Sequence, residues 1–465
     1  MRAWAGSGSR FLPFADAATP DLPLPRLLRL SLFQVAVGMA LVLLIGTLNR
    51  VMIVELKVPA SLVGIMIALP LLFAPFRALI GFRSDTHRSE LGWRRVPFIY
   101  RGTMVQFGGL ALMPFALLVL SATGEANPPP LWLGLLGAAT AFLLVGAGLH
   151  TVQTVGLALA TDLAAKESQP KVVGLMYVAL LAGMVASALA FGAALTPFSP
   201  GRLVQVIQAA AVATIVLNGV AMWKQEPRHT RAAAAQQLSP DFRQTWRQFT
   251  EGRHAMRRLV AVGLGTMAFS MEDVLLEPYG GEILHLAVGD TTKLTAGLAI
   301  GGLLGFGWAS RVLGRGADPL RMAGFGALIG LPAFAAVIGA GPLGSTPLFA
   351  AGTVLIGFGA GLFGHGTLTA TMSMSPRSQT GLALGAWGAA QASAAGLAIA
   401  LGGVIRDAAA AVTGSNGFGP ALAYDVVYVL EIALLLATLM IMMPLIRRMP
   451  SATRPAYGAH TPSNP

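Results

Sequence analysis

The sequence contains no cysteine, which excludes disulfide bonds, thiolate metal sites and cysteine nucleophiles. Charged residues are scarce as well, since they make up 11% of the 465 residues, whereas a typical soluble domain carries ~25%. The chain therefore has too little polar surface to form the two or three soluble domains that its length would suggest. Its first 29 residues are polar and proline-rich, and they lack the short apolar core and cleavage site of a secretory signal.

Apolar residues dominate instead, at 55% of the chain, together with 56 glycines. They form runs that are long enough for a helix to cross ~30 Å of hydrocarbon at 1.5 Å per residue. Because lipid cannot satisfy backbone hydrogen bonds, runs of this length must be helices, and the sequence predicts an all-α polytopic membrane protein. The twelve predicted transmembrane spans are 30–54, 59–82, 97–121, 131–160, 172–195, 203–223, 257–279, 294–313, 320–341, 346–373, 379–403 and 421–446.

Lysine and arginine are distributed unevenly between the loops that join these spans. The side of the membrane that holds both termini carries 26 of the 32 basic residues, and the opposite side carries five. The positive-inside rule therefore predicts that both termini are cytoplasmic. The formal net charge of +12 is accordingly a topology signal and a contact for anionic lipid, and we expect no nucleic-acid partner.

An internal repeat divides the spans into six plus six. The motif Gly146-Ala-Gly-Leu-His150 recurs as Gly361-Leu-Phe-Gly-His365, and each histidine lies 19 residues after the start of its span. A repeat of this size predicts two pseudo-symmetric six-helix halves, the plan of a major-facilitator-type fold. The predicted divisions are a cytoplasmic N-terminal tail (1–29), an N-terminal half (30–223), a cytoplasmic linker (224–256), a C-terminal half (257–446) and a cytoplasmic C-terminal tail (447–465).

The loop after the second span combines a glycine and an aspartate with clustered arginines, as the signature loop of major facilitators does. An aspartate near a helix terminus can pair with arginine and hold one arrangement of the two halves, a latch that rocking would break and remake. The alternative is an ordinary basic loop that only fixes topology. The candidate latch residues are Gly81, Asp85, Arg88, Arg94 and Arg95.

The seventh span contains Glu272, Asp273 and Glu277, and acidic residues inside a membrane usually face a cavity or a partner. Asp273 and Glu277 are four residues apart and should share a helix face, whereas Glu272 is rotated away by ~100°. The Pro-Tyr-Gly-Gly run that follows predicts a break or bend. Three roles remain open: a proton relay, a cation or ligand site, and an ion pair with an inward arginine such as Arg50 or Arg77. Arg50 could instead reach the membrane interface.

His150 and His365 are the candidate ligands for a metal-bearing group. A neutral imidazole can ligate a metal, including the central magnesium of a chlorophyll-type pigment, although a lone membrane histidine more often bonds to a neighbouring helix. From their equal depth we expect both to face the space between the halves. The sequence predicts no metal centre and no catalytic residue, because no motif that positions water or substrate accompanies the acids, and we expect no enzyme.

Three segments together resemble the PucC/LhaA family, the bacteriochlorophyll-delivery branch of the major facilitators. They are LNRVMIVEL (48–56), APFRALIGFRSD (74–85) and EDVLLEPYGG (272–281), and the match runs from about residue 25 to 447. The resemblance implies an assembly factor for light-harvesting antenna complexes in the inner, intracytoplasmic membrane of a photosynthetic bacterium. It implies antenna polypeptides, bacteriochlorophyll and the lipid bilayer as partners, with pigment-synthesis enzymes as further candidates. Bacteriochlorophyll would be a ligand or cargo, and no tightly bound cofactor is expected.

Two other functions remain open at this point. The first is a proton-coupled major-facilitator transporter of a small amphiphilic solute. The second is a membrane enzyme of pigment or prenyl chemistry, which is disfavoured because the sequence has neither an Asp-rich diphosphate motif nor a dense histidine cluster. An assembly factor should co-purify with antenna polypeptides, a transporter should move solute alone, and an enzyme should convert substrate in detergent.

The orientation is the first testable prediction. Because basic residues mark the cytoplasmic side, reporter fusions near Gln236 and Arg454 should be cytoplasmic, and fusions after Ser121 and Leu343 should be periplasmic. The measurement is the activity of alkaline phosphatase and green fluorescent protein fusions, which report on opposite sides. A periplasmic signal near Gln236 would contradict the six-plus-six arrangement.

Overall fold

The computed structural model describes residue 19 and residues 22–72, 80, 83–84, 92–121, 129–165, 168–226, 255–374, 380–415 and 419–447. All regular structure within these ranges is helical. Eleven of the described helices are long and apolar enough to cross a membrane, so the chain is a multi-pass membrane protein. The second predicted span is described only in its first part, because residues 73–79 and 81–82 lie outside these ranges.

Twelve helices correspond to the twelve predicted spans in order. The first six are α1 (Leu24–Glu55), α2 (Ala60–Leu72), α3 (Val96–Ser121), α4 (Leu131–Leu163), α5 (Gln169–Ala194) and α6 (Pro200–Met222). The second six are α7 (Ala255–Glu282), α8 (Val288–Leu313), α9 (Pro319–Leu343), α10 (Thr346–Met374), α11 (Thr380–Ser415) and α12 (Ala421–Arg447). The largest difference from the prediction is α11, which was expected to end at 403. It continues because the charged residues after that point are paired inside the fold, as described below.

Helix packing repeats with an offset of six helices. In the first half α3 packs on α4 and α6, and α1 packs on α5 and α6. In the second half α9 packs on α10 and α12, and α7 packs on α11 and α12. The two halves meet where α2 packs on α11 and where α5 packs on α8, a pair of contacts that the same offset relates. The two six-helix halves are therefore pseudo-symmetric, as the sequence predicted.

The first helix of each half is irregular near its C-terminal end. Two segments of α1 are π-helical, Val42–Leu48 and Val51–Glu55. In α7 the regular helix ends at Ala268, and a turn and a short 3₁₀ segment lead into Leu276–Glu282. The break therefore lies ahead of Pro278, not at it. This position is physically reasonable, because a proline is tolerated in the first turn of the helix that follows.

Small residues allow the closest helix contacts, as at the crossing of α8 and α10. A Cβ added at Gly361 would lie 2.6 Å from the carbonyl oxygen of Gly302 and 3.0 Å from the backbone nitrogen of Phe306. Because backbone atoms cannot move aside as a flexible side chain can, only glycine fits at this crossing. Van der Waals contact between backbones is what holds helices together where no hydrophobic effect operates.

A matched pair of glycine substitutions tests this contact. Gly361→Ala should lower the unfolding free energy by about 1–3 kcal/mol through overpacking. Gly364→Ala, one turn further along α10 and with nothing within 4 Å of its Cβ, should be neutral or slightly stabilising, because alanine favours helix. Thermal unfolding of the detergent-solubilised protein is the measurement. Equal midpoints for the two variants would show that the α8–α10 crossing is not tightly packed.

Candidate functional site

A cavity of about 310 Å³ lies between the two halves. It is lined by α5 from the first half and by α7, α8, α10 and α11 from the second. Its polar wall contains Glu272, Asp273 and His365, and its aromatic walls include Tyr177 and Trp387. Glycines of α8 and α10 fill much of the remaining surface, which makes the cavity mainly apolar with a few polar groups. Such a lining is typical of a small-molecule site.

The structure separates the two candidate histidines. His365 lies on the cavity wall, and its ring centroid is 4.2 Å from that of Phe306 on α8. Its Nδ1 atom has no hydrogen-bond partner in the described part of the chain. His150 lies half-buried on α4, a helix outside the set that lines this cavity. The two imidazoles therefore do not form one site.

The three acids of α7 are grouped differently from the prediction. Glu272 and Asp273 both line the cavity, whereas Glu277 lies between α1 and α8 and accepts a hydrogen bond from the hydroxyl of Thr295. The expectation that Asp273 and Glu277 share a face was wrong. The reason is the break in α7, which interrupts the helical spacing between residues 268 and 276.

The break in α7 is bonded to α1 across the boundary between the halves. Asn49 Nδ2 donates to the carbonyl oxygens of Val274 at 3.0 Å and Asp273 at 3.3 Å. The hydroxyls of Thr47 and Thr292 lie 3.3 Å apart at the same level. These bonds hold the halves together at the end of the bundle where α1 and α7 finish, which we call the distal end.

Arg50 reinforces the distal end and is buried, with 3% of its surface exposed. It is paired with Glu55 of its own helix and donates to the carbonyl oxygen of Leu286 at 3.0 Å. A Cβ at Gly281 would lie 2.9 Å from its guanidinium, so this glycine makes room for the charge. Arg50 therefore faces α7 and is enclosed by protein. Arg77, the other arginine proposed to pair with these acids, lies outside the described residues.

A second charged network at the distal end was not found from the sequence. Arg406 on α11 pairs with Glu282 at 2.6 Å and Asp407 at 3.1 Å, and its guanidinium lies 3.1 Å from the hydroxyl of Tyr424. Asp407 accepts a hydrogen bond from the backbone nitrogen of Ser61, at the start of α2. This network joins α7, α11, α12 and α2. Its sequence signal was an Arg-Asp pair just beyond the predicted end of the eleventh span.

Two buried polar residues of α12 were also missed. Glu431 and Tyr428 are both fully buried and lie on the face of α12 that packs on α7. An acidic residue in the interior of an otherwise strongly apolar span is a signal that could have identified Glu431.

The described part of the candidate latch is bonded within the first half. Arg94 and Arg95 both pair with Asp162 of α4, at 2.9 and 3.0 Å. Glu226 accepts from the backbone nitrogens of both arginines and of Val96, and so caps α3. Arg95 also donates to the hydroxyl of Ser84 at 2.6 Å. The other candidate latch residues, Gly81, Asp85 and Arg88, lie outside the described residues, and the latch stays a prediction.

Comparison with known proteins identifies the family. The family model described as PUCC protein matches residues 47–449. The chain belongs to the PucC family. It is 59% identical to Protein PucC of Cereibacter sphaeroides over 96% of this chain and 97% of that protein. It is 65% identical to Protein PucC of Rhodovulum sulfidophilum over 86% of this chain and 89% of that one.

Solved structures establish the fold of this PucC-family chain. It resembles the crystal structure of a bacterial homologue of the iron transporter ferroportin in its inward-facing state, with a TM-score of 0.65. The match covers 90% of this chain and 98% of the other, at 14% sequence identity. At this identity the likeness concerns the fold alone. It confirms the predicted major-facilitator-type arrangement of twelve helices in two halves.

The Arg406 network gives a stability prediction for this PucC-family protein. Arg406→Gln leaves Glu282 and Asp407 without their counter-ion at a mostly buried site, and should lower the unfolding free energy by about 2–4 kcal/mol. Arg321→Gln removes an exposed arginine that pairs with Asp318 at 3.6 Å, and should change the unfolding free energy by about 0–1 kcal/mol. Thermal unfolding in detergent distinguishes them. Equal effects would mean that the network contributes no more than a surface ion pair.

Proposed function

We propose that this protein is an assembly factor for bacterial light-harvesting antenna complexes in the photosynthetic inner membrane, and that it binds or delivers bacteriochlorophyll during antenna insertion and oligomerisation. The observation that carries the proposal is membership in the PucC family over residues 47–449, which supports a role in light-harvesting complex assembly. Antenna polypeptides, bacteriochlorophyll and the surrounding lipid are its proposed partners. The acids and histidines then serve binding and conformational change, not catalysis.

The cavity provides a place where pigment could be held. His365 has the chemistry of an axial ligand, since a neutral imidazole nitrogen can coordinate magnesium and its Nδ1 atom has no hydrogen-bond partner among the described residues. Phe306, Tyr177 and Trp387 add flat aromatic walls on three different helices. When bound, the pigment would supply the metal that the imidazole coordinates.

The size of the cavity limits how the pigment would be held. Its volume of about 310 Å³ is at the small end of the ~300–1,000 Å³ range of small-molecule sites. A macrocycle with a long alcohol tail needs more room than this. The proposal is therefore transient contact with part of the pigment, as delivery requires, and not permanent enclosure.

A second candidate function is proton-coupled transport of a small amphiphilic solute. The observation that favours it is the combination of a cavity between two halves, with a few polar groups on its wall, and hydrogen bonds that join those halves at the distal end. That arrangement is what alternating access requires. Transport and assembly differ in whether the protein acts on solute alone or on antenna polypeptides.

The proposed function is tested by purifying the protein and measuring which pigment and which polypeptides purify with it. Affinity-purified protein from cells that make antenna should carry bacteriochlorophyll absorbance and antenna polypeptides, which mass spectrometry identifies. His365→Leu should reduce pigment per protein several-fold at unchanged protein abundance, because the ligand is lost. His365→Gln keeps a polar side chain that coordinates magnesium more weakly. Its pigment content per protein should lie between that of the unsubstituted protein and that of His365→Leu.

His150→Leu is the matched control, since this histidine lies on a helix that does not line the cavity. Its pigment content should equal that of the unsubstituted protein. An unchanged amount of pigment per protein in His365→Leu would show that His365 does not ligate the pigment. Purified protein that carries neither pigment nor antenna chains, yet moves solute into proteoliposomes, would favour the transporter instead.

A further inference from the structure

Glu431 is an acidic residue in the middle of α12, against the break in α7. Its side chain is fully buried, and neither carboxylate oxygen has a hydrogen-bond partner of normal geometry in the described part of the chain. The backbone N–H of Glu272 lies beside it. A carboxylate that is removed from water without compensation costs many kcal/mol, so this group needs a ligand or must be neutral.

The ionisable group that acts most strongly on Glu431 is another acid. Glu272 is 1% exposed, its Oε2 atom is also without a hydrogen-bond partner among the described residues, and the two carboxyls act on each other electrostatically. Asp273 also acts electrostatically on both of them. Two carboxylates that share a buried site cannot both be ionised at low cost, because like charges repel strongly where water is excluded.

The arginines near this pair are committed to other acids. Arg50 is bonded to Glu55 and to a backbone carbonyl, and Arg406 is bonded to Glu282 and Asp407. Each of these arginines therefore compensates acids of the distal end. Of the carboxyl pair, Glu272 lines the cavity.

Tyr428 provides an independent sign that something binds here. Its hydroxyl is fully buried, has no hydrogen-bond partner among the described residues and lies one helical turn before Glu431. Both Glu431 and Glu272 act on it electrostatically. An O–H group can donate to a carboxylate, so its hydrogen bond forms once the pair adopts a defined protonation state.

We propose that Glu272 and Glu431 form a proton-binding pair that shares one proton and exchanges it with the cavity between the halves. Glu272 lines that cavity, and hydronium in the cavity donates the proton: an O–H bond of hydronium breaks, an O–H bond to one carboxylate oxygen forms, and water is left. The pair goes beyond the proposed function, because it holds for any cargo. The titratable and charged groups around it are Asp273, Glu277 and Tyr279 on α7, Tyr424, Asp425 and Tyr428 on α12, Arg406 and Asp407 on α11, His365 on α10, Tyr177 on α5 and Arg50 on α1.

Infrared spectroscopy of the full chain in lipid nanodiscs tests the pair directly. A protonated buried carboxyl has a C=O band that carboxylates lack and that shifts in D₂O. If one proton is shared, Glu272→Gln and Glu431→Gln should each keep one carboxyl equivalent of this band at neutral pH, because the remaining acid is still buried without a counter-ion and holds the proton. The double variant should lose that equivalent. Asp290→Asn, which removes an exposed carboxylate paired with Lys293, should leave the band unchanged.

Loss of one carboxyl equivalent in each single variant and of two in the double variant would overturn the shared proton, because each acid would then hold its own, and an unchanged band in the double variant would overturn it as well. A band that sodium displaces at constant pH would show that the pair binds a metal cation instead. Should the glutamine variants fail to accumulate, Tyr428→Phe keeps the test decisive, since it changes only the hydroxyl. It should shift the frequency of the band without removing it, and an unshifted band would refute the arrangement.

Discussion

The hydrogen bonds from Asn49 to α7 are the interaction on which the site depends. In a regular helix the carbonyl of Val274 would accept from the residue four positions later, but that residue is Pro278, which has no N–H. Lipid offers no donor in its place. Asn49, from the other half of the molecule, supplies one. This donor therefore satisfies a carbonyl that the break in α7 leaves unpaired, and it adds one of the hydrogen bonds that join the halves.

Sequence reasoning predicted the helices and their arrangement because both are determined by properties that vary slowly along the chain. Apolar run length identifies a span whatever its neighbours are, and the repeated Gly-x-x-x-His motif identifies the two halves. The site depends on pairs that are far apart in sequence. Glu431 meets Glu272, and Arg406 meets Glu282, only because α7 packs on α11 and α12. No local pattern specifies such a pair.

The acids of α7 show how one backbone irregularity changes a side-chain prediction. Helical spacing placed Asp273 with Glu277, which is correct for an unbroken helix. Because α7 is interrupted before Glu272, the angle between these residues follows turn geometry instead, and Glu277 is directed to Thr295 between α1 and α8. Pro278 affects the helix as the sequence predicted, because it has no N–H to donate. The group left without a donor is the carbonyl of Val274, four residues earlier, so the irregularity lies ahead of the proline.

The π-helical segments of α1 have a further consequence. Each such turn contains one residue more than the α-helical turn that could replace it. Loss of one π turn would rotate everything beyond it by ~100°, the angle of a single helical residue. Asn49 lies between the two π segments, so a change in the first of them would turn its amide away from the carbonyls of α7. A shift of register within one helix would thus be sufficient to break the Asn49 hydrogen bonds between the two halves, without any helix first moving apart.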